Sequence, residues 1–417
     1  MRIGIIGGGL AGLSAADVLC KDHDITIFER ADHLGGLAAS FDFNGVSVPR
    51  YYHHVFDHDF ITQKFLERFD CPVKDFKRIT MSMLANNKEY AFTKPTGLLT
   101  FDYLSLYERF RYGLFGAYVF SLMNPGKISE SLNARTWLNK VAGKGVTNKV
   151  FYELYARNKF GIPLEQISAK QFAHRLKAKE FLGTFGFPEN GLDKFINNFS
   201  QSLLERGVTI HKNSSIISLR DKTIQTDKES YDFDIVINTA PVPAFLQFSR
   251  DIPDSYRAQL AKVKYCPVVS VIIKTKEFIS DFYWHNVLRE DAQMIVQHSW
   301  LHDKYPDKVT WVSRYGGAGD DFKLTDDEIK EKYIETLKKY YPNVEVLDSV
   351  VYRQPFASPI YDVNYPNVMP KEESPLPWLF NAGIATTYPK IRNMNTALES
   401  GIKTAKIIRS KIEKGSV

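Results

Sequence analysis

Two adjacent histidines and one glutamate carry the most chemical promise in this chain. His53 and His54 lie in the run Arg50-Tyr51-Tyr52-His53-His54-Val55-Phe56-Asp57-His58. An imidazole titrates near neutrality, so either ring can take or give a proton at a reacting centre. As metal ligands they would need a further acid or histidine cluster at coordinating spacing, and the sequence offers none. Glu29 lies 22 residues beyond Gly7. At that distance from a glycine turn, a carboxylate can accept bonds from both hydroxyls of an adenosine ribose, and it repels a 2′-phosphate. Arg175, Arg314 and Arg353, with Tyr155 and Tyr388, form a second set. Clustered, such residues hold a diphosphate; scattered, they are ordinary surface side chains.

Glu29 needs a frame, and the first 36 residues supply it. Arg2-Ile3-Gly4-Ile5-Ile6 reads as a buried strand, and Asp24-Ile25-Thr26-Ile27-Phe28 as a second. Between them, Gly7-Gly8-Gly9-Leu10-Ala11-Gly12 opens an apolar, alanine-rich helix. Gly7 allows the tight turn, Gly9 lets backbone approach a pyrophosphate, and Gly12 lets helix and strand pack closely. The helix N-terminus offers N–H groups and a partial positive charge to the phosphates. Strand, helix, strand and terminal acid together predict a dinucleotide site.

Beyond Glu29 and Arg30, Gly35-Gly36 is followed by Leu37-Ala38. This stretch resembles the FAD-binding flavoproteins of the amine oxidase, protoporphyrinogen oxidase and UDP-galactopyranose mutase group. The resemblance implies that Gly35, Gly36, Leu37 and Ala38 continue the adenosine and pyrophosphate site; many members carry Arg after the glycine pair, which this chain lacks. The His53-His54 run resembles a mutase segment that passes over the flavin, with His54 as the flavin-side histidine. The stretch from Phe151 to Gly161, with Tyr155, resembles another mutase segment, and Arg175 its continuation toward a nucleotide-sugar. Arg175, Lys177 and Lys179 read equally as a solvated helix face. By the same resemblance the strand at Ile216 meets adenine through its backbone, and the turn at Thr239-Ala240 lies near the pyrophosphate. Gly383, Tyr388 and Asn393-Met394-Asn395 stand for a C-terminal signature. Ile384 replaces its arginine, and both its acids are Asn here. Asn395 or Thr396 is expected to cap the last helix, whose N-terminus would stabilise negative charge on the reduced pyrimidine ring.

The bulk numbers bound the rest. At 417 residues, with 24% charged side chains, the chain suits a two- or three-domain globular enzyme. A net charge of +6, spread along the chain, does not imply nucleic acid but suits an anionic substrate. Three scattered cysteines and a start directly on the first strand predict a reducing, cytoplasmic setting without a signal peptide. The apolar run 112–123 is too short to span a bilayer. It reads as a buried helix, or as a weak membrane-surface contact. The expected fold class is α/β, a discontinuous Rossmann-type FAD domain (1–58, 190–245 and 357–417). A helical cap over 59–189 and an antiparallel-sheet substrate domain over 246–356 complete it. The loop Gly316-Gly317-Ala318-Gly319 lacks a third glycine and a following apolar helix, so it is no second dinucleotide site.

Two chemistries are compatible with these residues. In one, a small, anionic or carbohydrate-derived substrate is oxidised through flavin N5, with His54 handling the coupled proton. In the other, reduced FAD isomerises a nucleotide-sugar without net redox, and the Arg/Tyr set holds the leaving diphosphate. The segment matches favour the second; the missing C-terminal arginine and the two acids replaced by Asn favour the first. A non-catalytic flavin-binding protein is the third reading, and the elaborate cap argues against it.

Overall fold

The computed structural model describes residues 1–91, 95–178 and 183–416. The chain divides into two compact units: Met1–Lys74, Pro188–Lys264 and Tyr365–Val417 form the first, Asp75–Phe187 and Tyr265–Asn364 the second.

The first unit is built on a five-stranded parallel sheet. Its order is Thr209–His211, Asp24–Phe28, Arg2–Ile6, Ile235–Asn238, Leu379–Asn381. Ile5 pairs with Ile27 on one side and Ile237 on the other, and all three are fully buried. Such unbroken apolar runs belong to parallel strands covered on both faces. The helices Leu10–Leu19 and Met394–Glu413 pack together at their backbones. Ser14 Oγ donates to Leu398 O at 3.0 Å. A Cβ on Gly401 would fall 2.1 Å from Ala11 O, so only glycine permits this approach. A small antiparallel sheet (Ile216–Arg220, Thr223–Thr226, Ser230–Asp232) and the hairpin Ser40–Asp42/Ser47–Pro49 also belong to the unit.

The second unit holds a seven-stranded sheet ordered Val346–Pro359, Tyr265–Thr275, Lys308–Arg314, Met294–Gln297, Trp284–Val287, Met81–Ala85, Lys88–Ala91. Pairing is antiparallel except between Trp284–Val287 and Met81–Ala85. The sequence reading makes 60–190 mainly helical and sets a cap over 59–189 apart from the sheet domain. The structure differs: the hairpin Met81–Ala85/Lys88–Ala91 extends the sheet, and 75–187 shares a unit with it. The physical reason is a common core. Met83 and Tyr90 of the hairpin and Cys266 of the Tyr265–Thr275 strand pack in one apolar cluster with Phe115, Leu138, Phe151 and Phe172 of the helices. The helices Leu106–Ser121, Ala134–Val141, Thr147–Phe160 and Ala169–Lys177 lie where periodicity predicts helix. Lys179, the last residue of the expected basic set, lies outside the described residues. The Gly316-Gly317 loop serves packing. Gly316 donates its N–H to Asn158 O at 2.7 Å, and a Cβ there would collide with Arg157 O.

Candidate functional site

Nearly all of the expected cofactor residues converge within the first unit. The Leu10–Leu19 helix begins at Gly9 with no side-chain cap and no acidic residue in its first turn. Its first helical bond runs from Leu13 N to Gly9 O, so the Leu10, Ala11 and Gly12 N–H groups are left at the open end. Gly7 adopts φ +105°, and Gly12 sits so close that a Cβ would lie 2.1 Å from Gly7 O. The second glycine pair closes on the first. Gly35 N–H donates to Gly8 O at 2.8 Å, and Gly9 and Gly35 form a bridge. A Cβ on Gly9 would meet nothing nearer than Gly36 Cα at 3.9 Å. A strip of bare backbone therefore lies before an uncapped helix end. That cradle fits a pyrophosphate, and any larger residue at Gly9 or Gly36 would fill it.

Glu29 stands beside this strip. Its Oε2 accepts the Gly8 N–H at 2.8 Å and its Oε1 the Ala31 N–H at 2.9 Å. An ionised carboxylate has about four lone-pair sites, so roughly two stay open to a ribose diol. Arg30 is exposed; Leu37 is half-buried and Ala38 buried beside the glycine pair. The Ile216 segment arrives on the far side of Glu29. Asn213 N–H donates to Ala31 O and Ser214 N–H to Glu29 O, both at 2.9 Å.

Thr239 clamps the glycine turn from the neighbouring strand. Its N–H and its hydroxyl both donate to Ile6 O, at 2.9 and 2.8 Å. Ala240 N–H is held by Asn238 Oδ1 at 3.1 Å. Gly383, at φ +110°, follows the adjacent strand, and a Cβ on it would lie 3.7 Å from Thr239 O. Its N–H donates to Ser400 Oγ at 2.8 Å, which ties the 383–386 turn, with Ile384, to the last helix. Tyr388 packs its ring 5.8 Å from that of Tyr365.

The cap of the last helix differs from expectation. Asn393, not Asn395 or Thr396, is the N-cap: its side chain accepts the Thr396 N–H at 2.9 Å, and Thr396 Oγ1 accepts the Asn393 N–H at 3.1 Å. The signal was legible as Asn and Thr spaced three apart. Met394 is buried in the first turn. Asn395 instead caps another helix, Phe60–Arg68, through its Oδ1. Asn393 Nδ2 also donates to Asp59 Oδ1 at 3.1 Å, and Asp59 Oδ2 accepts the Phe56 N–H. The histidine run is thereby anchored to the start of the last helix. Asp59, and its contact with Asn393, are not legible in sequence, because neither spacing nor type marks a contact across more than three hundred residues.

The two histidines differ. His53 donates Nδ1–H to Tyr51 O at 2.7 Å. Burial pushes its imidazole below the usual range, and the bond to Tyr51 opposes that only in part. His53 is therefore held neutral with Nε2 as its acceptor atom. His54 stacks on Tyr52 at 6.2 Å and meets the edge of Phe56 at 5.1 Å.

The second unit does not bring its expected residues into one cluster. Arg314 and Arg353 both stand opposite Val269, from the two strands flanking it, so they share one sheet face. That face also carries Val271, Ile273, Val312 and Val351, which pack on Ile329, Tyr333 and Leu337 of the Asp326–Tyr340 helix. Arg314 Nη1 lies 3.1 Å from both oxygens of Asp321, a buried carboxylate that also accepts from Lys332 Nζ and Tyr333 OH, each at 2.8 Å. Burial alone would raise that carboxyl; the bonds from Lys332 and Tyr333 and the Arg314 charge outweigh it and hold it below the usual range. Arg353 pairs with Asp326 and donates to Leu324 O. Both guanidinium groups thus help fix a helix on the sheet. Arg175 is buried on the Ala169–Lys177 helix, and Tyr155 packs 4.2 Å from Phe172 of that helix. Lys177 donates to the carbonyls of Val119 and Phe120. Among the described residues no group of three or more His, Cys, Asp or Glu could hold a metal ion.

Comparison with known proteins gives this geometry its context. Residues 10–409 match the family model described as flavin containing amine oxidoreductase. An uncharacterised protein of Methanocaldococcus jannaschii is 25% identical over 256 residues, 58% of this chain and 59% of that protein. The match thus spans well under two thirds of that relative's length. Among solved structures, an Exiguobacterium protein provisionally described as a protoporphyrinogen oxidase superposes with TM-score 0.79 at 16% identity, over 98% of this chain and 99% of that one. Reduced UDP-galactopyranose mutase superposes with TM-score 0.78 at 15% identity, over 98% and 95%. Putrescine oxidase bound to putrescine gives 0.74 at 13%, over 98% and 99%. At these identities the superpositions speak for the fold.

Proposed function

This chain belongs to the flavin-containing amine oxidoreductase family and is an FAD-dependent enzyme; on that premise we propose that it oxidises a small molecule over a flavin held by its first unit. Gly7, Gly9, Leu10, Ala11 and Gly12 would receive the pyrophosphate at the uncapped helix end, and Glu29 the adenosine ribose. Arg30, Gly35, Gly36, Leu37, Ala38 and Ile216 would flank the adenosine half. Thr239 and Ala240 would brace the glycine turn. Gly383, Ile384, Met394, Asn395 and Thr396 would face the isoalloxazine end, with His53 and His54 nearby. Bound FAD supplies the hydride-accepting chemistry.

The protein's own contribution is positioning and proton handling. His53 would act as a neutral proton acceptor through Nε2, its tautomer fixed by Tyr51 O and its charged form disfavoured by burial. His54, held between Tyr52 and Phe56, would set the wall of the site. The single observation that carries the redox reading is the ion pairing of Arg314 with Asp321 and of Arg353 with Asp326. A nucleotide-sugar isomerase needs basic side chains for its departing diphosphate, and these two are committed to helix packing.

The alternative, mutase-like isomerisation, draws on the fold likeness to reduced UDP-galactopyranose mutase. One experiment separates the two. Anaerobic mixing of the oxidised holoenzyme with amines, alcohols and sugar derivatives should bleach the flavin with one class. Furanose product from UDP-galactopyranose and the reduced holoenzyme, without net flavin oxidation, would overturn the redox reading.

A further inference from the structure

The Leu106–Ser121 helix carries two apolar faces, and the fold uses one. Phe115 and Val119 are buried in the helical core of the second unit. Leu106, Tyr107, Phe110 and Leu114 recur at spacings of three and four on the other side, and all are exposed: Leu106 to 78%, Phe110 to 64%. Leu99 before the helix and Leu122 after it are exposed as well. Six of the large exposed hydrophobic side chains thus fall within 24 residues, whereas such side chains are normally scattered singly. The sequence makes 112–123 a buried helix or a surface contact; the structure buries Phe115, Val119 and Met123 in the core and sets the exposed stripe toward the N-terminal half.

We propose that this stripe docks into the headgroup region of an anionic lipid surface. Charge chooses the occupant. Residues 95–150 hold seven Lys or Arg against three Asp or Glu, a net +4 within a chain of +6. Arg111 and Lys144 line the same concavity as Tyr107, at the edge of the stripe, and Lys127 follows Leu122. The stripe itself bears no acid: Glu108 is engaged by Lys149 at 2.7 Å and by the Ser105 N–H at 2.8 Å. An apolar stripe with a basic rim matches the boundary between acyl chains and anionic headgroups. A second copy would suit it less, since a two-fold contact sets the same basic rim against itself. The helix has 16 residues, and no helix among the described residues is long and apolar enough to cross a membrane. The contact lies in the plane of the surface.

The test is co-flotation of the full-length, FAD-loaded protein with vesicles. Wild type should float with vesicles of equal parts phosphatidylcholine and phosphatidylglycerol, less with phosphatidylcholine alone, and less at raised salt. The pair Phe110→Glu and Leu114→Glu should lower the partition about tenfold or more. The pair Arg111→Glu and Lys144→Glu should lower it several-fold. Flavin content and melting temperature should be unchanged in both, because every altered side chain lies outside the core. Absence of wild-type binding to the mixed vesicles, or full binding by the Phe110/Leu114 variant, would overturn the proposal. So would self-association of the wild type that this variant abolishes without any lipid binding.

Discussion

Asn395 Oδ1 accepts the backbone N–H groups of both Ile61 and Thr62, at 3.0 and 3.1 Å. These are first-turn donors of the Phe60–Arg68 helix, whose own N-cap, Asp59, makes no side-chain capping bond. One side chain at the start of the last helix therefore completes another helix 334 residues earlier in the chain. Replacing it by Ala should cost about 1–2 kcal/mol, as for loss of an N-cap, whereas Asn395→Asp keeps the acceptor and most of the stability. Denaturant midpoints of the two variants decide this; equal midpoints would show that solvent replaces the bonds freely.

Glu29 should govern cofactor retention rather than folding. Glu29→Gln keeps one acceptor but loses the charge that strengthens hydrogen bonds to a diol, and FAD affinity should fall about 10- to 100-fold. Glu29→Ala should purify largely without FAD. Titration of apoprotein with FAD, followed by flavin fluorescence, measures both; wild-type affinity in Glu29→Ala would remove Glu29 from the site.

Arg314 is expected to behave as a structural residue. Arg314→Met leaves Asp321 to Lys332 and Tyr333, and should cost about 1–3 kcal/mol in stability. Once a substrate is in hand, its KM should stay near the wild-type value. A large rise in KM with unchanged stability would return Arg314 to substrate binding.

His53 predicts a pH dependence with a definite sign. Burial lowers its pKa from the ordinary 6.5, so the unfolded chain binds the proton more readily than the fold does. Its contribution is complete above about pH 6.5 and is lost as pH falls through the lowered value in the fold. His23 and His174, also lowered by burial, act in the same direction. Melting curves of wild type and His53→Gln across this window isolate the His53 share. Parallel curves would mean that His53 is not held neutral.

Gly401→Ala tests the helix pair at the base of the cofactor unit. The added methyl would stand 2.1 Å from Ala11 O and 2.2 Å from Ser14 Oγ. The helices must part, at about 1–3 kcal/mol, and the uncapped end of the Leu10–Leu19 helix would shift with them. A variant as stable as wild type would refute the close approach.

How far the sequence foretold this depends on how local each signal is. The turn at Gly7–Gly12, the acid at Glu29 and the glycine pair at Gly35-Gly36 lie within thirty residues, and each part has a steric reason to be what it is. The same holds for the capping boxes at Ser105 and Thr325. The hairpin Met81–Ala91 was legible too, from Asn86-Asn87, whose φ values of 52° and 59° suit a two-residue turn. The helical periodicity on either side masks it. The partners of Arg314 and Arg353 were not legible. An arginine at a strand end looks the same whether it meets a ligand or an aspartate on a neighbouring helix, and only the sheet register decides which face it takes. Asn395 is the same case, since its partners lie at the other end of the chain.

The central claim is that the first unit holds FAD at the open end of the Leu10–Leu19 helix. The most direct measurement is the identity and stoichiometry of the nucleotide released from purified, denatured protein, for wild type and for Gly9→Val. About one FAD per wild-type chain is expected and almost none in Gly9→Val, with folding retained, because the side chain fills the strip before the helix, where a Cβ meets no atom closer than Gly36 Cα at 3.9 Å. Release of FMN or NAD in place of FAD, or a full complement of FAD in Gly9→Val, would contradict it.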